Sequence, residues 1–260
     1  MGSILFSFLL LFPIYFISAQ SDQWKSFIPN KYAYDCLVEG EYLYALTFNW
    51  MVKYNLNTNT YDFYNKSNSP ILFNAYSNLT KDKFGYIYFM TYHSIVKFDG
   101  SSFYEFPFTE KPYLYGHALT ADSSGNIWIA SAWGLIKFDG SNYTILLPDS
   151  ANYYGKDLNS VAVSANGDVL VSSGQYIAKY DGLSWTMYKF WELFSESFYS
   201  LCLYYDNNNL LWVGGLGGYC TFDGLQWNFY DKTGFTIKNI QPVNFNCFEI
   251  QCIHFFSFFC

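Results

Sequence analysis

His93, His117 and His254 are the only imidazoles in this chain. His93 and His117 have Glu110 between them, and such residues could hold a divalent metal or move a proton. No local motif supports that chemistry: there is no Gly-x-Ser-x-Gly, no phosphate loop and no His-Glu-x-x-His. An imidazole beside aromatic rings more often makes a structural hydrogen bond. The residues therefore assign no catalytic group, no metal and no cofactor, and recognition is the better reading. Trp50, Tyr92, Tyr113, Tyr115, Trp133, Tyr153 and Tyr154 carry ring faces suited to stacking on a sugar or gripping a peptide. His93, His117 and Gln175 stand near them as hydrogen-bonding groups, with Trp191 and Glu192 further along. The competing reading is that these rings only pack between sheets.

Composition bounds what can position those groups. Apolar residues are 51% of 260 and charged residues 13%, enough side-chain area to offset the entropy of folding, so disorder is excluded as the dominant state. Aromatics reach 23%, with 26 Tyr and 27 Phe, which suits half-buried strands rather than helices. The net charge is −7 and all 14 basic residues are Lys, so the guanidinium forks that grip phosphate are missing and a nucleic-acid partner is disfavoured.

The first segment is an address. Ile4 to Ile17 is almost uninterruptedly apolar and ends at Ile17-Ser18-Ala19 before Gln20, Ser21 and Asp22. This predicts a signal peptide over residues 1–19 and a secreted or periplasmic chain. No later stretch is long and apolar enough to span a membrane. Cys36, Cys202 and Cys220 are scattered and are expected as buried free thiols, while Cys247, Cys252 and Cys260 crowd the tail.

A repeat organises residues 20–236. Phe98-Asp99-Gly100, Phe138-Asp139-Gly140, Tyr180-Asp181-Gly182 and Phe222-Asp223-Gly224 recur at spacings of 40, 42 and 42, with a degenerate Tyr54-Asn55 lying 44 residues before Phe98. Sixteen residues before each aromatic stands a landmark: Val38, Asp82, Asp122, Ser164 and Asp206. The residue before the aromatic is Lys53, Lys97, Lys137, Lys179 and then Thr221, and the lysines are expected to be solvated or Asp-paired. In the third copy, Tyr115 to Ala121, Asn126 to Ser131, Leu135 to Phe138 and Tyr143 to Leu147 parse as strands a to d. Asp122-Ser123-Ser124-Gly125 supplies the a–b turn and Asp139-Gly140 the c–d turn.

Ile127 and Ile129 alternate with Trp128 and Ala130, so both faces of the sheet are apolar and need like sheets on either side. That predicts an all-β fold, a β-propeller of four-stranded blades with about five recognisable repeats, whose ring need not be complete. Trp24-Lys25-Ser26-Phe27 resembles the outer strands at Trp185 and Trp227, and would be a closing strand d.

Asp122 to Ala130, followed by Gly134 to Gly140, resembles the two-component regulator propeller repeat, over roughly residues 31 to 236. The resemblance implies a propeller like those in periplasmic sensor regions of hybrid histidine kinases, and a sensing or ligand-binding role. It implies no signalling by this chain alone. Residues 237–260 lack turn residues and Asp-Gly, and fit a truncated or frame-shifted sixth repeat or the first part of a longer propeller.

In such blades the a–b and c–d turns share one side and are monotonous here, whereas the b–c tips and d–a crossovers share the other and vary. Loops free to differ on a rigid scaffold are where recognition belongs, which places the aromatic set on the varied face. The expectation is an exported, non-enzymatic propeller binding a small molecule, glycan or protein. The alternatives are a metal-assisted enzyme, for which His93 and His117 are vaguely similar to a streptogramin lyase site, and a non-functional gene fragment.

Overall fold

The structure is a computed structural model describing residues 34–70, 77–108, 115–146, 157–194, 198–243, 247–252 and 256–259, with side chains through Tyr230. The leader expected over 1–19 and the closing strand expected at Trp24 to Phe27 lie outside the described residues.

The third repeat shows how sequence becomes sheet. Its strands are β9 (Gly116–Ala121), β10 (Ile127–Ser131), β11 (Gly134–Phe138) and β12 (Tyr143–Leu146), each within a residue of its expected ends over the described chain. They pair antiparallel in chain order. Asp122 makes the a–b turn: its Oδ1 accepts the N–H groups of Ser124 and Asn126 at 2.9 Å each, and Gly125 takes φ 94°. Asp139 does the same at the c–d turn, accepting from Ser141 and Asn142 at 2.9 and 2.7 Å. A short carboxylate that bonds its own downstream backbone offers the chain a turn in place of a continued strand.

The other repeats follow. The first sheet is β1 (Asp35–Glu39), β2 (Tyr42–Leu46), β3 (Met51–Asn55) and β4 (Tyr61–Tyr64). The second is β5 (Thr80–Lys81), β6 (Ile87–Met90), β7 (Ser94–Phe98) and β8 (Phe103–Pro107). The fourth is β13 (Ser160–Val163), β14 (Val169–Ser172), β15 (Tyr176–Tyr180) and β16 (Trp185–Lys189), followed by the single turn α1 (Phe190–Leu193).

The fifth sheet begins with β17 (Tyr199–Tyr205), followed by β18 (Leu211–Phe222) and β19 (Trp227–Val243). The rings of Trp212 and Tyr219 stack with centroids 5.9 Å apart, although seven residues of straight strand would span about 23 Å. β18 therefore doubles back, and Gly217 and Gly218 at φ 91° and 138° make the reversal. Its first limb pairs with β17 and its second with β19, so four strands are again present. β19 runs on, and its far end pairs with β20 (Cys247–Cys252), which pairs with β21 (Phe256–Phe259).

Sheet shelters sheet. Ile127, Ile129, Ile136 and Phe138 pack with Tyr88, Met90 and Ile95 of the second sheet. The alternate residues Trp128, Ala130 and Leu135 pack with Val161, Val169, Val171 and Ala178 of the fourth. Equivalent clusters join the first sheet to the second and the fourth to the fifth. A fully buried Phe138 or Ile129 contributes about 1.5–3 kcal/mol, which only a neighbouring sheet can supply. The first strands lie next to one another, β5 against β9, β9 against β13 and β13 against β17. Side chains tie them: Asp35 Oδ2 accepts Leu79 N, Ser160 Oγ accepts Leu203 N, and the Asn78 amide brackets Leu119 through both its N–H and C=O, at 2.8 to 3.0 Å.

Among the described residues the sheets do not close into a ring. On the outer face of the first sheet, Tyr34 is 53% and Val38 55% exposed. This corrects one expectation: Cys36 shares that face and is exposed, whereas Cys202 and Cys220 are buried.

Candidate functional site

The b–c tips and crossovers gather several of the expected residues. Tyr92, at the tip of the second sheet, meets Tyr115, just before β9, edge to face with ring centroids 6.4 Å apart. Two residues on, His117 Nε2 lies 2.8 Å from Asp157 Oδ1. This pair links the first strand of the third sheet to the chain entering the fourth. Its side chains are 40% and 66% exposed, so it orients the ring more than it stabilises the fold.

Other expected residues sit apart at their own tips. Trp50 packs edge to face on Phe63 at 6.2 Å, its backbone N–H held by Thr47 Oγ1. Trp133 is 36% exposed, with its backbone N–H on Ser131 Oγ at 3.1 Å. Gln175 is exposed, and its carbonyl accepts Phe190 N at 3.0 Å. The His93 carbonyl likewise accepts Phe108 N at 2.8 Å, fixing the turn that carries the ring. Tyr113, Tyr153, Tyr154 and Glu110 lie outside the described residues. Asp157 escaped sequence reasoning because it belongs to a crossover with no counterpart at repeat spacing. Among the described residues no three His, Cys, Asp or Glu side chains gather as a metal-binding set.

The opposite side carries the uniform turns, and its carboxylates are spent on structure. Bonds from the backbone N–H groups of Ser102 and Ser101 hold Asp99 near pKa 2, and those of Ser184 and Leu183 do the same for Asp181. Burial alone would raise Asp122, but hydrogen bonds from the Asn126 amide, the Trp128 indole and the turn backbone outweigh it and hold the carboxyl below its ordinary value. The lysine series is more varied than expected. Lys179 is Asp-paired, with its Nζ 2.6 Å from Asp168 Oδ2, while Lys53, Lys97 and Lys137 lie over aromatic rings. This side also holds a cavity of about 360 Å³ between the third and fourth sheets, which sequence reasoning missed because its walls are repeat-position residues assigned to the fold.

No family model matches the chain, and no curated protein matches it in sequence. Solved structures do. The extracellular domain of a hybrid two-component system from B. thetaiotaomicron superposes with TM-score 0.70 at 13% identity, over 87% of this chain and 32% of that one. A second such extracellular domain from the same organism gives 0.70 at 16%, over 86% and 32%. The chain thus spans about a third of the length of these relatives. A catalytically inactive virginiamycin B lyase from Staphylococcus aureus, solved with quinupristin, gives 0.70 at 12%, over 86% and 79%. The fold is a β-propeller.

In propeller terms, the five sheets are blades and their first strands lie innermost. Tyr92, Tyr115, His117 and Asp157 then occupy the varied face where the second, third and fourth blades meet. Among the described residues no helix is long and apolar enough to cross a membrane. At these identities the likeness carries the fold and leaves function to the residues.

Proposed function

We propose that this chain is an exported, non-enzymatic propeller that binds a small molecule, glycan or partner protein on its varied face, as an input module for a sensor system. One observation carries the reading: Tyr92 with Tyr115, and His117 with Asp157, come from different blades and meet on the side whose loops differ from repeat to repeat. Rigid rings flanked by an oriented imidazole and a carboxylate offer both stacking area and hydrogen-bond direction to a polar ligand. The likeness to extracellular domains of two-component systems supports the same role and an extracytoplasmic site of action.

The test is a thermal-shift screen of the mature chain against oligosaccharides and peptides. Each hit is repeated on a Tyr92→Ala/Tyr115→Ala variant and on a Ser101→Ala/Ser141→Ala control from the uniform face. Hits lost in the first variant and kept in the second support the reading. Hits indifferent to Tyr92 and Tyr115 contradict it.

A second reading, a metal-assisted lyase, is favoured by the imidazoles near that face and by the fold shared with the S. aureus lyase. Replacing His93 and His117 by Ala separates the two. A binding module shows no turnover of quinupristin with or without a divalent metal in either form, whereas a lyase turns it over with the metal and loses that turnover in the variant.

A further inference from the structure

The lysine at the fixed place on the third strand meets a different partner in each of the first four blades, and the fourth residue after the landmark decides which. In the first blade that residue is Tyr42; Lys53 Nζ sits 4.3 Å from its ring centroid and donates to Gly100 O at 2.7 Å. In the second it is Tyr86, with Lys97 Nζ 3.5 Å from the centroid. In the fourth it is Asp168, ion-paired to Lys179 at 2.6 Å. In the third it is Asn126, whose Nδ2 turns away to donate to Asp122 Oδ2 at 2.8 Å. Lys137 is left 5.4 Å from the centroid of the Trp128 ring, and among the described residues no hydrogen bond or ion pair satisfies its ammonium. Behind the backbone N–H groups of Asn142 and Ser141, its charge contributes to holding Asp139 below its ordinary value.

Asp122 cannot serve as that partner. It already accepts the N–H groups of Ser124 and Asn126 on Oδ1, and Asn126 Nδ2 and Trp128 Nε1 on Oδ2, at 2.8 to 2.9 Å. Beside this spare cation lies the cavity of about 360 Å³, within the range of small-molecule sites. Trp128, Lys137 and Thr144 stand side by side in register along one wall, and Tyr180 of the fourth blade faces them. Ser123 and Ser124 also line it.

We propose that this inter-blade cleft binds a small hydroxylated monocarboxylate. The carboxylate pairs with Lys137 Nζ, the hydroxyls bond to Thr144 and the serine hydroxyls, and the carbon chain lies against Trp128 and Tyr180. A neutral polyol would leave the ammonium partly desolvated with no counter-charge. A phosphate dianion would need further donors, and the turn N–H groups are already taken by Asp122. The cleft is on the uniform side, away from Tyr92 and Tyr115, so it stands or falls independently of the varied-face reading.

Calorimetric titration with D-gluconate, D-glucitol and inorganic phosphate tests it. Gluconate is expected to bind with a Kd of about 1 mM or tighter, with glucitol and phosphate at least about ten-fold weaker. Lys137→Met should weaken gluconate by about ten-fold or more, while Lys97→Met and Tyr92→Ala/Tyr115→Ala leave it unchanged. Comparing gluconate with glucitol on the unaltered chain needs no variant to fold. Silence with gluconate up to about 10 mM, equal binding of glucitol or phosphate, or binding indifferent to Lys137→Met each overturns the proposal.

Discussion

Trp128 Nε1 donates to Asp122 Oδ2 at 2.9 Å, a strut from the second strand back to the turn that precedes it. It recurs from Trp212 to Asp206 at 3.1 Å, and as Tyr88 Oη to Asp82 at 3.1 Å. In the fourth blade the donor position holds Leu170, the landmark is Ser164, and Asp168 takes a lysine instead. The rule is electrostatic: a carboxylate withdrawn from water persists where donors reach it, on both oxygens for Asp82, Asp122 and Asp206 and on Oδ2 from Lys179 for Asp168.

Removing the landmark residue should therefore cost more where it accepts several donors than where it accepts one. Asp122→Ala strands the Trp128 indole N–H and the turn N–H groups, and is expected to lower stability by about 2–4 kcal/mol. Ser164→Ala loses only the bond its Oγ accepts from Asp168 N at 3.0 Å, worth about 1 kcal/mol. Urea unfolding of both variants checks the order, and equal losses would contradict it.

The same turns set the acid limit. Asp99 and Asp181 are held near pKa 2, and Asp122, Asp139 and Asp223 are also lowered, against about 3.9 for an unfolded Asp. A lowered folded pKa means the unfolded chain takes up protons first. The contribution is complete above about pH 4 and is lost as pH falls toward about 2. Urea midpoints measured from pH 7 down to 2 should hold and then fall in that window.

Much of this was legible at repeat spacing. The alternation of Ile127 and Ile129 with Trp128 and Ala130 fixed which residues meet which neighbour, and the Asp-Gly pairs fixed the turns. What spacing could not show is pairing between unlike positions. The partner of Lys137 depends on whether Asn126 turns toward Asp122, and the partner of His117 is Asp157, which has no repeat counterpart. The exposure of Cys36 was hidden for another reason: a β pattern assigns a face but does not say whether a sheet covers it. The reversal within β18 rests on Gly217 and Gly218, a pair absent from the b–c tips of the other blades.

Glycine positions separate by what a Cβ would meet. Gly174 has φ 63°, and an added Cβ would fall 2.4 Å from the Tyr199 ring, where Gly174 O also accepts Ser200 N at 2.7 Å. Gly174→Ala is expected to cost about 3 kcal/mol by overpacking on top of a left-handed backbone. Gly140 has φ 98° but open space around it, so Gly140→Ala should cost only about 1 kcal/mol. Thermal midpoints of the two variants check the contrast.

The central claim, that each blade is one module braced from within and sheltered from its flanks, is tested most directly by hydrogen exchange of the indole N–H groups in solution NMR. Trp128 and Trp212 should exchange slowly and together, and Asp122→Asn should shift the Trp128 resonance while leaving Trp212 in place. The exposed Trp191 should exchange fast. Rapid exchange at Trp128 and Trp212, or a Trp128 signal indifferent to Asp122, would contradict the account.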